Sequence, residues 1–144
     1  MGLPEILFNL FPGMGACSLL ARRIGTRAAE ELILSGRIMT AAELHKIGVV
    51  DVVATDGQGQ TAVRNWIARN AKRRNGMQAV LRARQIVHPI TRAELDAIVE
   101  LWVDAAMRLG ERDLKMMNRL VRAQMRRMES GQPLIYGRGP LAAA

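Results

Sequence analysis

One glutamate in an otherwise apolar segment is the first candidate for acid–base chemistry. Glu5 lies between Pro4 and Ile6 in the short segment 3–8, which is rich in apolar residues and followed by turn-forming residues. A carboxylate in such a segment would be partly removed from water, which suits a group that transfers protons. The alternative is a surface glutamate on an edge strand, and the residue types alone favour that alternative.

A glycine-rich turn is the second candidate. Residues 11–15 read Phe-Pro-Gly-Met-Gly and open a segment with helical character. The N–H groups of Gly13 and Gly15 could approach an anionic ligand at the start of that helix. An ordinary corner between two elements would need the same residues. The turn does not match a P-loop or a dinucleotide fingerprint, because the lysine and the remaining glycines are missing.

The thiol and imidazole groups are too few for a metal or disulfide framework. Cys17 is the one cysteine, so no disulfide can form within the chain, and a lone cysteine beside Ala16 and Leu19 is usually a small buried apolar group. His45 and His88 are far apart, with no cysteine near either of them. The sequence therefore predicts no zinc site.

The pattern of caps, glycines and apolar residues predicts a mostly α chain with two short strands. The strands are expected at residues 3–8 and 49–54. Gly25 is expected to end the first helix, Thr26 to cap the second, and Thr40 to cap the third in a capping box with Glu43. Helices are predicted at residues 16–24, 27–34, 41–47, 61–74, 76–87, 91–108 and 111–129. The tail from residue 131 is predicted to be flexible.

Apolar stripes run along the last two predicted helices. On one helix the stripe consists of Leu95, Ile98, Val99, Trp102, Ala106 and Leu109; on the other it consists of Leu114, Met117, Val121, Met125 and Met128. Side chains at such spacings lie on one face of a helix, which predicts that both helices face a core.

The chain is strongly basic, with 21 Lys and Arg against 13 Asp and Glu and a formal net charge of +8. This surplus suits anionic partners: nucleic acid, acidic lipid or a phosphate-bearing small molecule. One basic face, formed by Arg112, Lys115, Arg119, Arg122 and Arg126, is predicted on the last helix, and a solvated face is its simplest interpretation. Aromatic residues make up only 3% of the chain. Their scarcity disfavours nucleic acid, which is usually bound with help from aromatic stacking.

Membrane and secretion signals are not seen in the sequence. No apolar run approaches the roughly 20 residues that a spanning helix needs. Residues 1–5 lack the basic start of a secretory signal. The sequence therefore predicts a cytoplasmic location by default.

Five short motifs, in their order and spacing, carry a resemblance to a known family. The chain resembles the enoyl-CoA hydratase/isomerase (crotonase) family over roughly its first 55 residues. The motifs are LPE at 3–5, FPGMGA at 11–16, ILSGR at 33–37, AEL at 42–44 and GVVD at 48–51. Two later segments, WVDAAMRLGE at 102–111 and RLVRAQ at 119–124, are similar to one branch, the diffusible-signal-factor synthases. With that branch the resemblance extends to about residue 127.

The resemblance implies chemistry on a fatty acyl thioester of CoA or of an acyl-carrier protein, with no other cofactor and no metal. Two backbone N–H groups of the family hold the developing enolate oxyanion, while carboxylates move protons or activate water. Glu5 aligns with one catalytic glutamate of the family. The turn Gly13, Met14 and Gly15 is implied to border the acyl pocket. Trp102 and Leu120 are implied to line an acyl tunnel, although both also fit as ordinary core residues.

The resemblance also implies an incomplete catalytic apparatus. Residues 1–55 correspond to the last portion of the crotonase α/β superhelix, 56–60 to a loop, 61–130 to a helical oligomerisation region and 131–144 to a flexible tail. The family's second catalytic glutamate and both oxyanion-hole amides lie upstream of the aligned segment. We therefore expect the chain alone to be nearly inactive. Its expected partners are further copies, in a trimer or hexamer, or a complementary N-terminal half. The alternative is a non-catalytic helical module that assembles with intact homologues.

Overall fold

A computed structural model describes residues 1–130, and their regular elements are helical. The α-helices are α1 (Ala16–Ile24), α2 (Thr26–Ser35), α3 (Ala41–Lys46), α4 (Gly59–Asn70), α5 (Arg74–Val87), α6 (Arg92–Met107) and α7 (Glu111–Glu129). Two 3₁₀ helices, Pro4–Phe8 and Ala71–Arg73, complete the described elements. The expectation of a mostly α chain is thus confirmed. The predicted flexible tail lies outside the described residues.

The two predicted strands are wrong. Residues 4–8 form a 3₁₀ helix, and residues 49–54 form no regular element. A strand needs a partner, and within residues 1–130 the one β-type pairing is an isolated bridge between Gly2 and Ile38. Local hydrogen bonds replace the missing ladder: the N–H of Leu10 donates to the carbonyl of Glu5 at 3.1 Å. Pro4 also suits the first turn of a helix, where its missing N–H would have no partner.

The helix caps follow local sequence signals closely. The side chain of Thr40 accepts a hydrogen bond from the N–H of Glu43 at 3.2 Å, and the Glu43 carboxylate accepts one from the N–H of Thr40 at 2.8 Å. This capping box confirms the prediction, and its hydrogen bonds to Thr40 hold the pKa of Glu43 below the ordinary value. The predicted cap at Thr26 is wrong by one residue, since α2 begins at Thr26 and Gly25 is its cap.

The boundary between α4 and α5 differs from the prediction. The sequence predicted a break between residues 74 and 76, but the break is the 3₁₀ turn Ala71–Arg73, and Gly76 lies inside α5. No side-chain atom lies within 4 Å of the position where Gly76 would carry a Cβ. The glycine is therefore tolerated in the helix by its exposure, at the usual entropic cost of about 1 kcal/mol relative to alanine.

Burial is confined to the first third of the chain. The buried apolar side chains are Leu10, Ala29, Leu32, Ile33 and Leu44, and no residue between 45 and 130 is fully buried. Helix α1 packs against α2, and the 3₁₀ helix Pro4–Phe8 contacts both α2 and α7. The pair α4 and α5 makes its main contacts with the short turn that joins it.

The two predicted apolar stripes have different outcomes. The stripe residues Leu95, Ile98, Trp102 and Ala106 on α6 are half-buried, as is Leu109 just after that helix, whereas Val99 on α6 is exposed. On α7, four of the five predicted stripe residues are exposed, and the half-buried face instead contains Met116, Met117 and Leu120. Both helices are amphipathic, as their sequence patterns predict. On α7, however, no other part of residues 1–130 covers the predicted apolar stripe.

Gly36 offers a test of the contact between the 3₁₀ helix and α2. It caps α2 with φ +58°, and a Cβ there would lie 2.9 Å from Ile6 and 3.0 Å from Leu7. We expect Gly36→Ala to lower the free energy of unfolding by more than the roughly 1–2 kcal/mol that a left-handed alanine costs, because these side chains must also move. Urea unfolding followed by circular dichroism measures the change.

The matched control is Gly57→Ala. Gly57 also has a left-handed backbone, with φ +78°, but nothing lies within 4 Å of its added Cβ. This variant therefore has the cost of a left-handed alanine backbone without a steric clash. Equal losses of stability in the two variants would show that the contact of Gly36 with Ile6 and Leu7 is unimportant.

Candidate functional site

Glu5 is held on the 3₁₀ helix Pro4–Phe8 with part of its carboxylate out of solvent. The residue is half-buried, and its Oε2 atom is fully buried without a hydrogen-bond partner among the described residues. A buried carboxylate oxygen without a partner is costly in a folded protein, so such atoms are often found where a ligand or a proton will be accepted. The segment thus presents one acid–base group with unused hydrogen-bonding capacity.

The glycine-rich turn is braced by a tryptophan from α6. The indole Nε1–H of Trp102 donates to the carbonyl of Phe11 at 3.0 Å, and a Cβ at Gly13 would lie only 3.2 Å from that nitrogen. Gly13 is therefore required for the close approach of the ring. Gly15 caps α1 with φ +78°, and the side chain of Leu95 lies 3.4 Å from its ideal Cβ position.

The structure brings some of the predicted site residues together. Trp102 lies against Gly13, and Met14, between the two turn glycines, has a left-handed backbone with φ +54° and a side chain that is 99% exposed. Leu120 lies on the half-buried face of α7, the helix that contacts the 3₁₀ helix carrying Glu5. The turn is thus braced by α6, and the 3₁₀ helix that carries Glu5 contacts α7.

Two open clefts among the described residues lie elsewhere. One, of about 420 Å³, is lined by Val52, Ala62, Asn65, Ala68 and Arg69. The other, of about 670 Å³, is lined by Glu111, Arg112, Lys115, Met116 and Arg119. Neither is lined by Glu5, the turn glycines, Trp102 or Leu120.

A bidentate ion pair, not foreseen from the sequence, holds α6 against α1. The guanidinium of Arg22 donates to both carboxylate oxygens of Glu94, at 2.8 and 2.6 Å, and also to the carbonyls of Ser18, His88 and Pro89. Bidentate pairs of this kind fix orientation as well as distance. The contact joins residues 72 positions apart, so no local pattern could have revealed it.

The same ion pair makes stability depend on pH. Hydrogen bonds from Arg22 hold the pKa of Glu94 below its ordinary value. The ion pair therefore stabilises the fold fully above the unfolded pKa, about 4.3, and this stabilisation is lost as pH falls through the lowered folded pKa. We expect Glu94→Gln to lower the melting temperature near neutral pH and to reduce the loss of melting temperature on acidification. Thermal unfolding at about pH 7 and about pH 3 measures both.

Glu100→Gln is the control for this prediction. Glu100 is an exposed carboxylate on the same helix and forms no ion pair within residues 1–130. This variant should retain the wild-type response to acid. A Glu94→Gln variant with the wild-type melting temperature at both pH values would show that the ion pair does not stabilise the fold.

The remaining candidate groups do not form a site. Cys17 is half-buried next to the carbonyl of Pro12, and burial raises the pKa of its thiol, which disfavours the thiolate form. Nδ1 of His45 lies 2.8 Å from the carbonyl of Val50, so this ring secures the end of α3. Within residues 1–130, no three His, Cys, Asp or Glu side chains are grouped closely enough to hold a metal ion.

Comparison with known proteins identifies the family. The profile described as enoyl-CoA hydratase/isomerase matches residues 1–125. The chain is 34% identical over 109 residues to cyclohexa-1,5-dienecarbonyl-CoA hydratase of Thauera aromatica, an alignment that covers 74% of this chain and 41% of that protein. It is 48% identical over 56 residues to a probable enoyl-CoA hydratase of Rhizobium meliloti (strain 1021), covering 38% of this chain and 22% of that protein.

A human relative matches a shorter part. The peroxisomal bifunctional enzyme of Homo sapiens is 41% identical over 64 residues, or 44% of this chain and 9% of that protein. On the match to residues 1–125, the chain belongs to the enoyl-CoA hydratase/isomerase family. It spans less than half the length of the Thauera hydratase that it matches. No helix within residues 1–130 combines the length and apolarity needed to cross a membrane.

Proposed function

We propose that this chain is the C-terminal part of a crotonase-type enzyme that acts on a fatty acyl thioester, with Glu5 as a proton-transferring carboxylate. The observation that carries the proposal is the buried Oε2 of Glu5, which has no hydrogen-bond partner among the described residues. The resemblance of the LPE motif to the family implies a catalytic glutamate at this position. In the complete enzyme this carboxylate would move a proton next to an oxyanion-stabilised enolate, or activate water. The reaction is then hydration or dehydration of an enoyl-CoA, or hydrolysis of the acyl thioester.

The substrate contacts of this proposal come from the turn and the last two helices. Gly13, Met14 and Gly15 would border the acyl chain, and the full exposure of Met14 leaves its thioether free to cover a ligand. Trp102 and Leu120 would line the far part of the acyl path. The segments around them are similar to the diffusible-signal-factor synthases, and we therefore propose an acyl thioester of CoA or of an acyl-carrier protein as substrate.

We propose that the chain divides into a core portion, a loop and an oligomerisation region, in line with where its side chains are buried. Residues 1–55, which contain all the buried side chains among residues 1–130, form the last portion of the catalytic core. Residues 56–60 form a loop, and residues 61–130 form the oligomerisation region. The exposed apolar side chains of α7 support this role, since apolar patches of this kind usually meet a protein partner. The partner is a second and third copy or a complementary N-terminal half, and we place the assembly in the cytoplasm.

The test is reconstitution of activity. The 144-residue chain is co-expressed with the N-terminal part of the Thauera hydratase that precedes its aligned segment, and hydration of crotonyl-CoA is followed by loss of enoyl thioester absorbance. Activity in the co-purified pair, dependent on Glu5, supports the proposal. A stable pair that remains inactive, with wild-type secondary structure, contradicts the catalytic assignment of Glu5.

A second candidate function rests on the same exposed surface. Because no residue from 45 to 130 is buried, the helices could serve as a non-catalytic module that assembles with intact homologues. The two functions are separated by the mass of the chain in solution with and without an intact relative. Incorporation into the relative's oligomer without a change in its turnover favours the module.

A further inference from the structure

Arg22 uses every N–H donor of its guanidinium to join α1 to α6 and to the loop that precedes α6. The carboxylate of Glu94 accepts two of the hydrogen bonds, and the carbonyls of Ser18, His88 and Pro89 accept the others, at 3.1, 3.2 and 2.6 Å. A guanidinium has five N–H donors in a rigid fork, so this set leaves none of them free. The start of α6 is therefore fixed in direction as well as in distance.

Trp102 lies on the same side of α6 as Glu94, about two turns and about 12 Å further along the helix. Next to Glu94, the side chain of Leu95 lies 3.4 Å from the ideal Cβ position of Gly15. At the other end, the indole N–H of Trp102 donates to the carbonyl of Phe11 at 3.0 Å. One side of α6 is thus attached by a polar contact at each end, first to α1 and then to the turn at residues 11–15.

These side-chain attachments decide where α6 lies. The backbone of α6 does not run closely along another helix of residues 1–130, whereas α1 and α2 pack directly against each other. The fully buried side chains also lie outside α6. Loss of the attachment at Glu94 should therefore let the helix pivot about its remaining contacts, while the core between α1 and α2 stays folded.

The turn that receives Trp102 contains an unfavourable backbone conformation. Met14 has φ +54°, in the left-handed region that is costly for a residue other than glycine. Such a conformation persists where the surrounding contacts determine it. Here the indole ring holds the carbonyl of Phe11 and lies so close to Gly13 that a Cβ there would be 3.2 Å from its nitrogen. Trp102 is thus one of the contacts that fix the turn.

We propose that the pair Arg22–Glu94 is a positioning element for the acyl site: it holds Trp102 on the turn at residues 11–15 and so favours long acyl chains over short ones. This role rests on the function proposed above, in which Trp102 lines the far part of the acyl path. A short acyl chain ends before that part, so only a long chain gains from the position of the ring. Arg22 and Glu94 themselves do not touch the substrate in this role.

The first test follows Trp102 directly and needs no turnover. Trp66→Phe removes the other tryptophan of the 144-residue chain, so that all remaining indole emission comes from Trp102. In this background Glu94→Gln keeps the size of the side chain but removes the charge that Arg22 holds. We expect the emission to shift to the red and acrylamide to quench it more strongly, at a temperature well below the melting temperature of each variant.

The neighbouring arginine on α1 provides the matched control. The side chain of Arg23 is 30% exposed against 21% for Arg22, and it too has an ion pair, with Asp51, and a hydrogen bond to the carbonyl of Gly48 at 2.8 Å. Its partners follow α3 and do not belong to α6. Arg23→Gln should therefore lower the melting temperature without moving the Trp102 emission, whereas Arg22→Gln should change both. Arg22→Lys keeps the charge but loses the fork, so it should behave like Arg22→Gln.

The second test measures acyl-chain preference. The 144-residue chain, assembled with the N-terminal part of the Thauera hydratase, is titrated with butanoyl-CoA and with dodecanoyl-CoA in a calorimeter. We expect Glu94→Gln to weaken dodecanoyl-CoA binding by about tenfold or more, the usual effect of a small change in an apolar pocket. Binding of butanoyl-CoA should be nearly unchanged, and Arg23→Gln should leave the affinity for both thioesters as it was.

Three results would overturn the positioning role. Equal changes of Trp102 emission in Arg22→Gln and Arg23→Gln would mean that both pairs only stabilise the fold. A shifted emission with equal losses of affinity for the two thioesters would mean that the pair does not select chain length. Wild-type affinities in Glu94→Gln would refute the inference alone, whereas no affinity of the wild-type assembly for either thioester would refute the proposed function as well.

Discussion

Alone, the 144-residue chain is expected to hydrate crotonyl-CoA at least about 10²–10³ times more slowly than the same chain assembled with an N-terminal half from a family relative. The resemblance to the family implies that two backbone amides upstream of the aligned segment hold the oxyanion. One such donor contributes about 10²–10³ in rate, so Glu5 alone cannot replace them. Single-turnover and steady-state assays on the separate and co-purified chains measure the difference.

Within the assembled pair, Glu5→Gln is expected to reduce the rate by about 10²–10⁴, the usual contribution of one acid–base group. The amide keeps the size of the side chain, so the fold should be unchanged. Glu30→Gln, an exposed carboxylate on α2, is the control and should leave the rate as it was. Turnover by the isolated chain that is lost on Glu5→Gln would contradict the requirement for an upstream half.

The second large effect is expected in the core. Leu44 is 2% exposed, the most deeply buried large side chain among residues 1–130. We expect Leu44→Ala to cost about 2–5 kcal/mol, from lost burial and the cavity left behind. Since small domains are stable by only about 5–15 kcal/mol, and few side chains are buried here, this variant should unfold at low urea concentration or fail to fold.

Leu101→Ala is the matched substitution for this test. Leu101 is an exposed leucine on α6, so its truncation removes little buried area and should change the urea midpoint only slightly. Equal shifts for both leucines would mean that the helices beyond residue 44 are covered in solution, for example by self-association. Sedimentation of the wild-type chain at several concentrations would then show whether self-association covers these helices.

The features that the sequence predicted correctly are those determined by residues a few positions apart in the chain. Thr40 and Glu43 form their capping box because both partners lie on the same turn, and α7 begins and ends at the predicted residues because Gly110 marks its start. Short motifs were also enough to predict the family. These signals depend on local geometry, which does not change when a distant part of the fold is absent.

The features that the sequence did not reveal depend on distant partners. Segment 3–8 has strand-like composition, but a strand forms only against another strand, and residues 1–130 offer none to it. The link between Arg22 and Glu94 crosses 72 positions. Leu120 proved to be half-buried while the neighbouring stripe of α7 is exposed, because a periodic pattern gives the face of a helix but not the surface against which it rests.

Leu44 is the last fully buried residue among residues 1–130, and this affects how long the chain persists in a cell. Chaperones and proteases recognise exposed apolar segments, and residues 45–130 carry many of them. A partner that covers those segments protects the chain by mass action, while unassembled copies are removed. We therefore expect the steady-state amount of this protein to follow the amount of its partner, so that degradation rather than synthesis sets the ratio between them.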